Sequence, residues 1–252
     1  MYGYIQWTET VRRPVIMEKE IMRVRFHCVL MPKRRVFLQK KMISRAAALL
    51  NREGVIRAVF PEEFPWLELF AGEHIQPVDP IVLYRAVAAE LVQYRLMSVG
   101  ERGKGIAVAV CASGLTDEVR RTVVELCVRN RYVMLFTPGR NDEFCRKIRR
   151  EYGVPLVQTE DLSQLAKVSV ILRFSPEPDC GDSNRCIDLF SGAAPPREIL
   201  RLADDRESLL PVDCDRMQLL SALYYAGALR RGDFRIFAPD LRETMLSGGK
   251  NP

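Results

Sequence analysis

Histidine is nearly absent. His27 and His74 are the only two in 252 residues, so imidazole acid–base chemistry has few places to occur. His27 falls inside a predicted strand beside Cys28 and reads as structural, while His74, in a loop after Gly72-Glu73, has no placed partner. No apolar run approaches the roughly 20 residues that span a bilayer, which excludes a membrane-spanning helix as an expectation. The N-terminus sets Met1 to Trp7 ahead of Glu9, Arg12 and Arg13, the wrong order for a signal peptide. Paired cysteine motifs are missing too. The seven cysteines (28, 111, 127, 145, 180, 186, 214) are odd in number and scattered, and several lie in apolar runs. Such cysteines read as reduced core residues of a cytoplasmic protein. Cys180 and Cys186, with Asp179, Asp182 and Asp188 nearby, come closest to a ligand set, but no C-x-x-C spacing occurs and no metal is expected. Nucleophile elbows and phosphate loops are also absent. Gly100 to Gly105 contains a lysine, yet it precedes a strand where a phosphate cradle would follow one.

What is present is globular composition. Hydrophobic residues make up 48% and charged residues 28%, with 15 Gly and 15 Pro, enough for a real core and unlike disordered, collagen-like or coiled-coil chains. The net charge of +6 is unevenly placed: residues 1–60 hold 13 Lys/Arg against 4 Asp/Glu, so the remainder holds 25 against 28. The densest part, Lys33-Arg34-Arg35 with Lys40, Lys41 and Arg45, overlaps a predicted helix. It reads as a solvated helix face, with a polyanion site as the alternative. No aromatic stacking platform accompanies it.

Strands and helices alternate. Ile21 to Met31 partly alternates apolar and polar, as a half-buried strand does. From Lys33 to Arg52, Leu38, Met42, Ala46 and Leu49 share one helical face, with Gln39, Lys40, Lys41 and Arg45 elsewhere. Val55 to Phe60 reads as a strand, Trp66 to Phe70 as a short helix and His74 to Val78 as extended. Asp79 and Pro80 open a helix reaching Val99. Ile106 to Cys111 is a continuous apolar run, the mark of a strand buried on both faces. Helix 116–130, strand 132–137, helix 142–152, an extended 154–158 and a brief helix 162–166 follow. Strands 169–174 and 186–190 and a last helix over 215–229 complete the pattern. It predicts an α/β protein of two α/β units, the second a mainly parallel sheet with helices on both faces. The units are placed at 1–100 and 101–252, joined near the Gly-rich 100–105 segment, with the terminal helix returning to the first. One continuous sheet is the alternative.

The order of elements over 104–190 (IAVAVC, helix, YVMLFT, a helix ending in Glu151-Tyr152-Gly153-Val154, then SVILRF and CIDLF) resembles a Rossmann domain. In particular it is similar to the NAD(P)-binding domain of the shikimate dehydrogenase, methylene-tetrahydrofolate dehydrogenase and glutamyl-tRNA reductase group. That resemblance implies a preceding α/β domain and a dinucleotide site after the first strand. The stretch there, Cys111-Ala112-Ser113-Gly114-Leu115-Thr116-Asp117-Glu118, has one glycine in place of G-x-G-x-x-G. Its acidic pair falls in a first helical turn, where carboxylates suit the helix dipole but repel phosphate. The family's lysine–aspartate pair has no matching motif, so no catalytic residue carries over.

In an open α/β sheet, loops after the carboxyl ends of parallel strands bind ligands. Ser113, Gly114, Arg140, Ser175 and Ser191 are therefore the candidate binding residues, with Arg173 nearby, and they suit a polar or anionic ligand. Arg140, after Pro138-Gly139, reads as a solvated arginine in a Pro-Gly turn, with the 2′-phosphate of NADP as the alternative partner. Phe64-Pro65-Trp66 and Tyr224-Tyr225 are assigned to core packing, with an interface as the alternative. The resulting reading is a cytoplasmic Rossmann-like protein with a degenerate dinucleotide motif, binding a small molecule or a protein partner without catalysis. The alternatives are an NAD(P)-dependent oxidoreductase with an atypical phosphate loop and a nucleic-acid or acidic-protein binder using the N-terminal basic face. Whether it is an enzyme and whether it forms an oligomer stay open.

Overall fold

Three strands precede the first helix. The computed structural model describes residues 1–33, 36–98, 107–177 and 184–238, and it begins with β1 (Tyr2–Thr8), β2 (Val15–Ile21) and β3 (Val24–Pro32). The expected strand at Ile21 starts later because Met22 and Arg23 form a two-residue turn, with Ile21 paired to Val24 across an antiparallel ladder. Both turn residues have positive φ, 48° and 66°, as a type I′ hairpin requires and as Asn-Gly would adopt without strain. Replacing Met22 by Asn together with Arg23 by Gly is therefore expected to raise the unfolding free energy by about 1–2 kcal/mol. A urea midpoint that stays put in the double variant would refute that strain.

Helix α1 (Val36–Arg52) covers this sheet. Its buried residues are Gln39, Ile43, Ala46, Ala47 and Leu50, a face rotated one position from the expected stripe. Leu38 is exposed, and Met42 and Leu49 are half-buried. The physical reason lies at the helix start, where the buried Gln39 side chain donates to the Pro32 carbonyl at 3.2 Å and fixes the rotation. β4 (Arg57–Val59), α2 (Leu67–Ala71) and β5 (Gln76–Pro77) follow. The five strands lie in the order β2-β3-β1-β4-β5, with every neighbouring pair parallel except β2 with β3. Gly3 sits against β4: a Cβ there would lie 2.9 Å from Ala58 Cβ and 3.0 Å from Val55 Cγ1. Phe64 and Trp66 join Trp7, Phe60 and Phe70 in an aromatic cluster, the Phe60 and Phe70 rings meeting edge-on at 4.9 Å.

The expected helix from residue 80 is two helices, α3 (Ile81–Ala86) and α4 (Ala88–Ser98), interrupted at Val87. The Asp79 carboxylate accepts from the Ile81 N–H at 2.9 Å and starts the first. The glycine-rich 100–105 segment and Ile106 lie outside the described residues, as do Arg34, Arg35, Asp179, Cys180 and Asp182.

The second sheet is built from β6 (Ala107–Cys111), β7 (Tyr132–Phe136), β8 (Leu156–Thr159), β9 (Val170–Arg173) and β10 (Cys186–Asp188). Their order is β10-β9-β6-β7-β8 and every pair is parallel. This is the doubly wound Rossmann-like arrangement, which reverses direction between β6 and β9. All five residues of β6 are buried, as its unbroken apolar run implies. Helices α5 (Asp117–Arg129) and α6 (Asp142–Tyr152) flank it, and Gly153, at φ 68°, ends α6 in the left-handed cap a glycine supplies.

Two short strands, β11 (Ile199–Arg201) and β12 (Arg235–Phe237), bracket α7 (Asp204–Glu207) and α8 (Arg216–Tyr225). Helix α8 is shorter than expected because the chain turns at Gly227, φ 77°. Among the described residues, those in 1–83 and 200–235 form one compact unit, and those in 84–199 and 236–238 the other. The division falls at Leu83/Tyr84, ahead of the expected 100/101. The reason is that α4 packs on β9 and α5 and carries Arg95, whose guanidinium pairs with Glu198. In the first unit, residues from the returning segment complete groups left open by the N-terminal part. Tyr4 Oη donates to Asp213 at 2.7 Å, and the Phe60 N–H donates to Gln218 Oε1 at 3.0 Å.

Candidate ligand-binding cleft

The residues that follow β6, β7, β8 and β9 surround a cleft of about 690 Å³ in the second unit. Ala112 and Ser113 come from the end of β6, Phe136 and Pro138 from β7, Glu160 and Leu162 from the segment after β8, and Ser175, Pro176 and Glu177 from the end of β9. This is the carboxyl edge of a parallel sheet at the strands where its order reverses, the place such folds bind ligands. Phe136, Pro138, Leu162 and Pro176 give apolar walls. The buried Ser175 hydroxyl donates to the Glu177 carbonyl at 2.7 Å and so holds the loop together.

The charge of this lining is unlike the expectation of an anion site. Glu160 and Glu177 line it, and among the described residues no cation does. Arg173 is taken up in a two-pronged pair with Asp188, Nη2 to Oδ2 at 2.7 Å. Arg140 lines a separate groove with Arg120, Arg146, Lys147 and Arg150. Ser113 and Ser175 thus meet in one cleft, Gly114 lines an adjoining hollow of about 360 Å³, and Ser191 is exposed in a turn lining neither. Glu160 and Leu162 were not legible as site residues because they follow the weakly patterned strand β8.

The adjoining hollow lies at the N-terminus of α5, where a dinucleotide's pyrophosphate would sit. Thr116 already caps that end, its Oγ1 accepting from the Val119 N–H at 3.3 Å. Asp117 and Glu118 occupy the first turn, and Arg85 is committed to Glu118 at 3.3 Å and to the Leu189 carbonyl at 2.6 Å. A Cβ at Gly114 would meet no protein atom within 4 Å, so the backbone there is approachable. The carboxylates beside it nevertheless make the seat unsuited to a pyrophosphate, and these residues do not fit NAD or NADP.

His27 lies in β3 paired with Glu18, and His74 holds a turn at φ 61°. The Tyr4 phenol is pushed far up by burial and by its hydrogen bond to Asp213, and burial pushes the Cys28 and Cys214 thiols up to about 11. These groups are held protonated at neutral pH and are poor nucleophiles. Among the described residues no cluster of His, Cys, Asp or Glu could hold a metal ion, and no helix is long and apolar enough to cross a membrane.

No family model matches the chain, and no curated protein matches it in sequence. Among solved structures it is similar to a chain of the tetrameric eIF2B-beta2-delta2 complex from C. thermophilum, at 11% identity over 64% of each chain with a TM-score of 0.30. It is similar to shikimate 5-dehydrogenase from Listeria monocytogenes, crystallised with shikimate and NAD, at 11% identity over 63% of each chain and TM-score 0.28. The catalytic subunit of M. jannaschii aspartate transcarbamoylase matches at 12% identity over 91% of this chain and 87% of that one, TM-score 0.33. The matched region spans just under two thirds of the first two proteins. Scores this low tie the chain to no activity, and the functional reading rests on its own residues.

Proposed function

We propose that this chain is a small-molecule-binding protein whose ligand, uncharged or cationic with an apolar body, enters the cleft at the carboxyl ends of β6, β7 and β9. The observation that carries this is the lining itself: five apolar side chains, two small hydroxyls and two carboxylates, with no cation among the described residues. Such a surface repels phosphates and favours a flat apolar group or an organic cation. The reading is of a binder, because the Ser175 hydroxyl is engaged by the Glu177 carbonyl and neither lining serine is accompanied by histidine or lysine. Its proposed setting is the cytoplasm, in keeping with the buried free thiols.

Thermal unfolding with adenosine, S-adenosylmethionine, NAD, NADP and ATP, each at millimolar concentration, tests the proposal. A ligand at 100 times its dissociation constant adds about 2.7 kcal/mol, or roughly 5–10 °C for a chain of this size. The expected result is a shift with the uncharged or sulfonium compound, lost in Ser113→Trp, and none with NAD, NADP or ATP. A shift with NADP that survives Ser113→Trp would overturn the reading and restore the oxidoreductase alternative.

A further inference from the structure

Three arginines in the first unit converge on one groove, and among the described residues no carboxylate answers them. Positions 45, 48, 49 and 52 form a single face of α1, and opposite them stand Arg13 and Pro14 from the segment before β2. Together Arg13, Pro14, Arg45, Ala48, Leu49 and Arg52 enclose about 370 Å³. Helix α1 contributes no acid of its own, since residues 36–52 hold Lys40, Lys41, Arg45 and Arg52 and neither Asp nor Glu. Lys41 stands one turn before Arg45 and is exposed.

Several arginines elsewhere are answered by a carboxylate or a carbonyl. Arg85, Arg95, Arg129, Arg173, Arg206 and Arg216 each meet a carboxylate within 3.3 Å. In the basic groove beside Arg140, Arg120 and Arg146 donate to backbone carbonyls and Glu143 shares the lining. Among the described residues Arg13, Arg45 and Arg52 have neither kind of partner. Their planar donor forks are unspent, and the like charges that line the hollow favour an anion entering it.

We propose that this groove binds a compact phosphate-bearing anion with a small apolar portion. Two or three negative charges on one phosphate or diphosphate group match three guanidiniums better than a single carboxylate does. The half-buried Leu49, Ala48 and Pro14 supply the apolar contact. The site belongs to the first unit and is independent of the cleft in the second. It differs from a nucleic-acid surface in being a small open hollow with no aromatic among the described residues of its lining on which bases could stack.

Isothermal titration of the whole chain with pyrophosphate and with phenyl phosphate at low salt tests it. Both should bind, phenyl phosphate more tightly than inorganic phosphate. Arg45→Ala should weaken each by about tenfold or more, the loss expected for a hydrogen bond between charged groups. Arg45→Lys, which keeps the charge but loses the fork, should fall between. Arg13→Ala with Arg52→Ala should remove binding, and because all three side chains are exposed, unchanged circular dichroism confirms that the variants fold. Failure of both probes to bind at millimolar concentration, or binding indifferent to these substitutions, overturns the proposal. So does tight binding of a short RNA, or of vesicles containing phosphatidylserine, that pyrophosphate does not displace.

Discussion

Arg95→Leu is expected to lower the stability of the second unit by about 3–5 kcal/mol, which for a chain of this size is roughly 10 °C in the unfolding midpoint. Arg95 lies on α4 with its side chain 10% exposed, and the Glu198 carboxylate it meets is 7% exposed. Nε donates to Glu198 Oε1 at 2.7 Å, and a second prong reaches the Cys186 carbonyl at the start of β10. Truncation leaves a buried carboxylate without its counter-ion, and the other oxygen, Oε2, already has no hydrogen-bond partner among the described residues. That desolvated charge is the source of the loss, and removing both charges at once takes the source away. Arg95→Leu with Glu198→Leu should therefore recover most of the stability. Denaturant unfolding of the two single variants and the double measures this. A double variant as unstable as Arg95→Leu would show that packing, not charge, governs the site.

Gly3→Ala should cost the first unit about 1–3 kcal/mol, and Gly3→Val more. Added atoms meet Ala58 Cβ at 2.9 Å, Val55 Cγ1 at 3.0 Å and Leu50 Cδ1 at 3.2 Å. Ala58 is the register partner of Gly3 across the β1–β4 pair, and its Cβ is fixed to backbone, so it cannot swing aside as a long side chain would. Clearing that one contact should compensate: Ala58→Gly in the Gly3→Ala background is expected to regain part of the loss, although glycine in a strand has its own entropic cost. Chemical denaturation reads the outcome. If Gly3→Ala unfolds at the wild-type midpoint, the close approach of β1 and β4 is softer than the contact distances imply.

The parts of this fold that sequence reveals are those where one physical requirement dominates. β6 must be apolar on both faces because it is central in a parallel sheet, and AVAVC says so directly. Thr116, Asp117 and Glu118 announce the N-terminus of α5 through capping and the helix dipole. β1 and β2 are different. β2 is an edge strand whose burial pattern is mostly exposed, and its turn is closed by Met22-Arg23, whose side chains give no sign of positive φ. The core face of α1 was displaced by one residue because Gln39, polar in any pattern, is buried for its bond to Pro32. At the cleft, Ser113 and Ser175 could be inferred from strand order. The acidic character could not, because Glu160 and Glu177 matter only once the segments after β8 and β9 are known to line one cleft.

The placing of the parallel sheet between the two segments of the first unit sets an order on biosynthesis. All five strands of the parallel sheet lie between residues 107 and 188, so a nascent chain that has emerged as far as residue 199 holds the whole of that sheet. The first unit is then still incomplete: Asp213 and Gln218, which receive the Tyr4 hydroxyl and the Phe60 amide across 209 and 158 residues of sequence, are still in the ribosome. Closing so long a loop costs little more than closing one half its length, so the delay is one of synthesis time, not of free energy. During that interval the strand end at Phe60 presents an unpaired amide, and the segment carrying Gln218 shields it once it emerges.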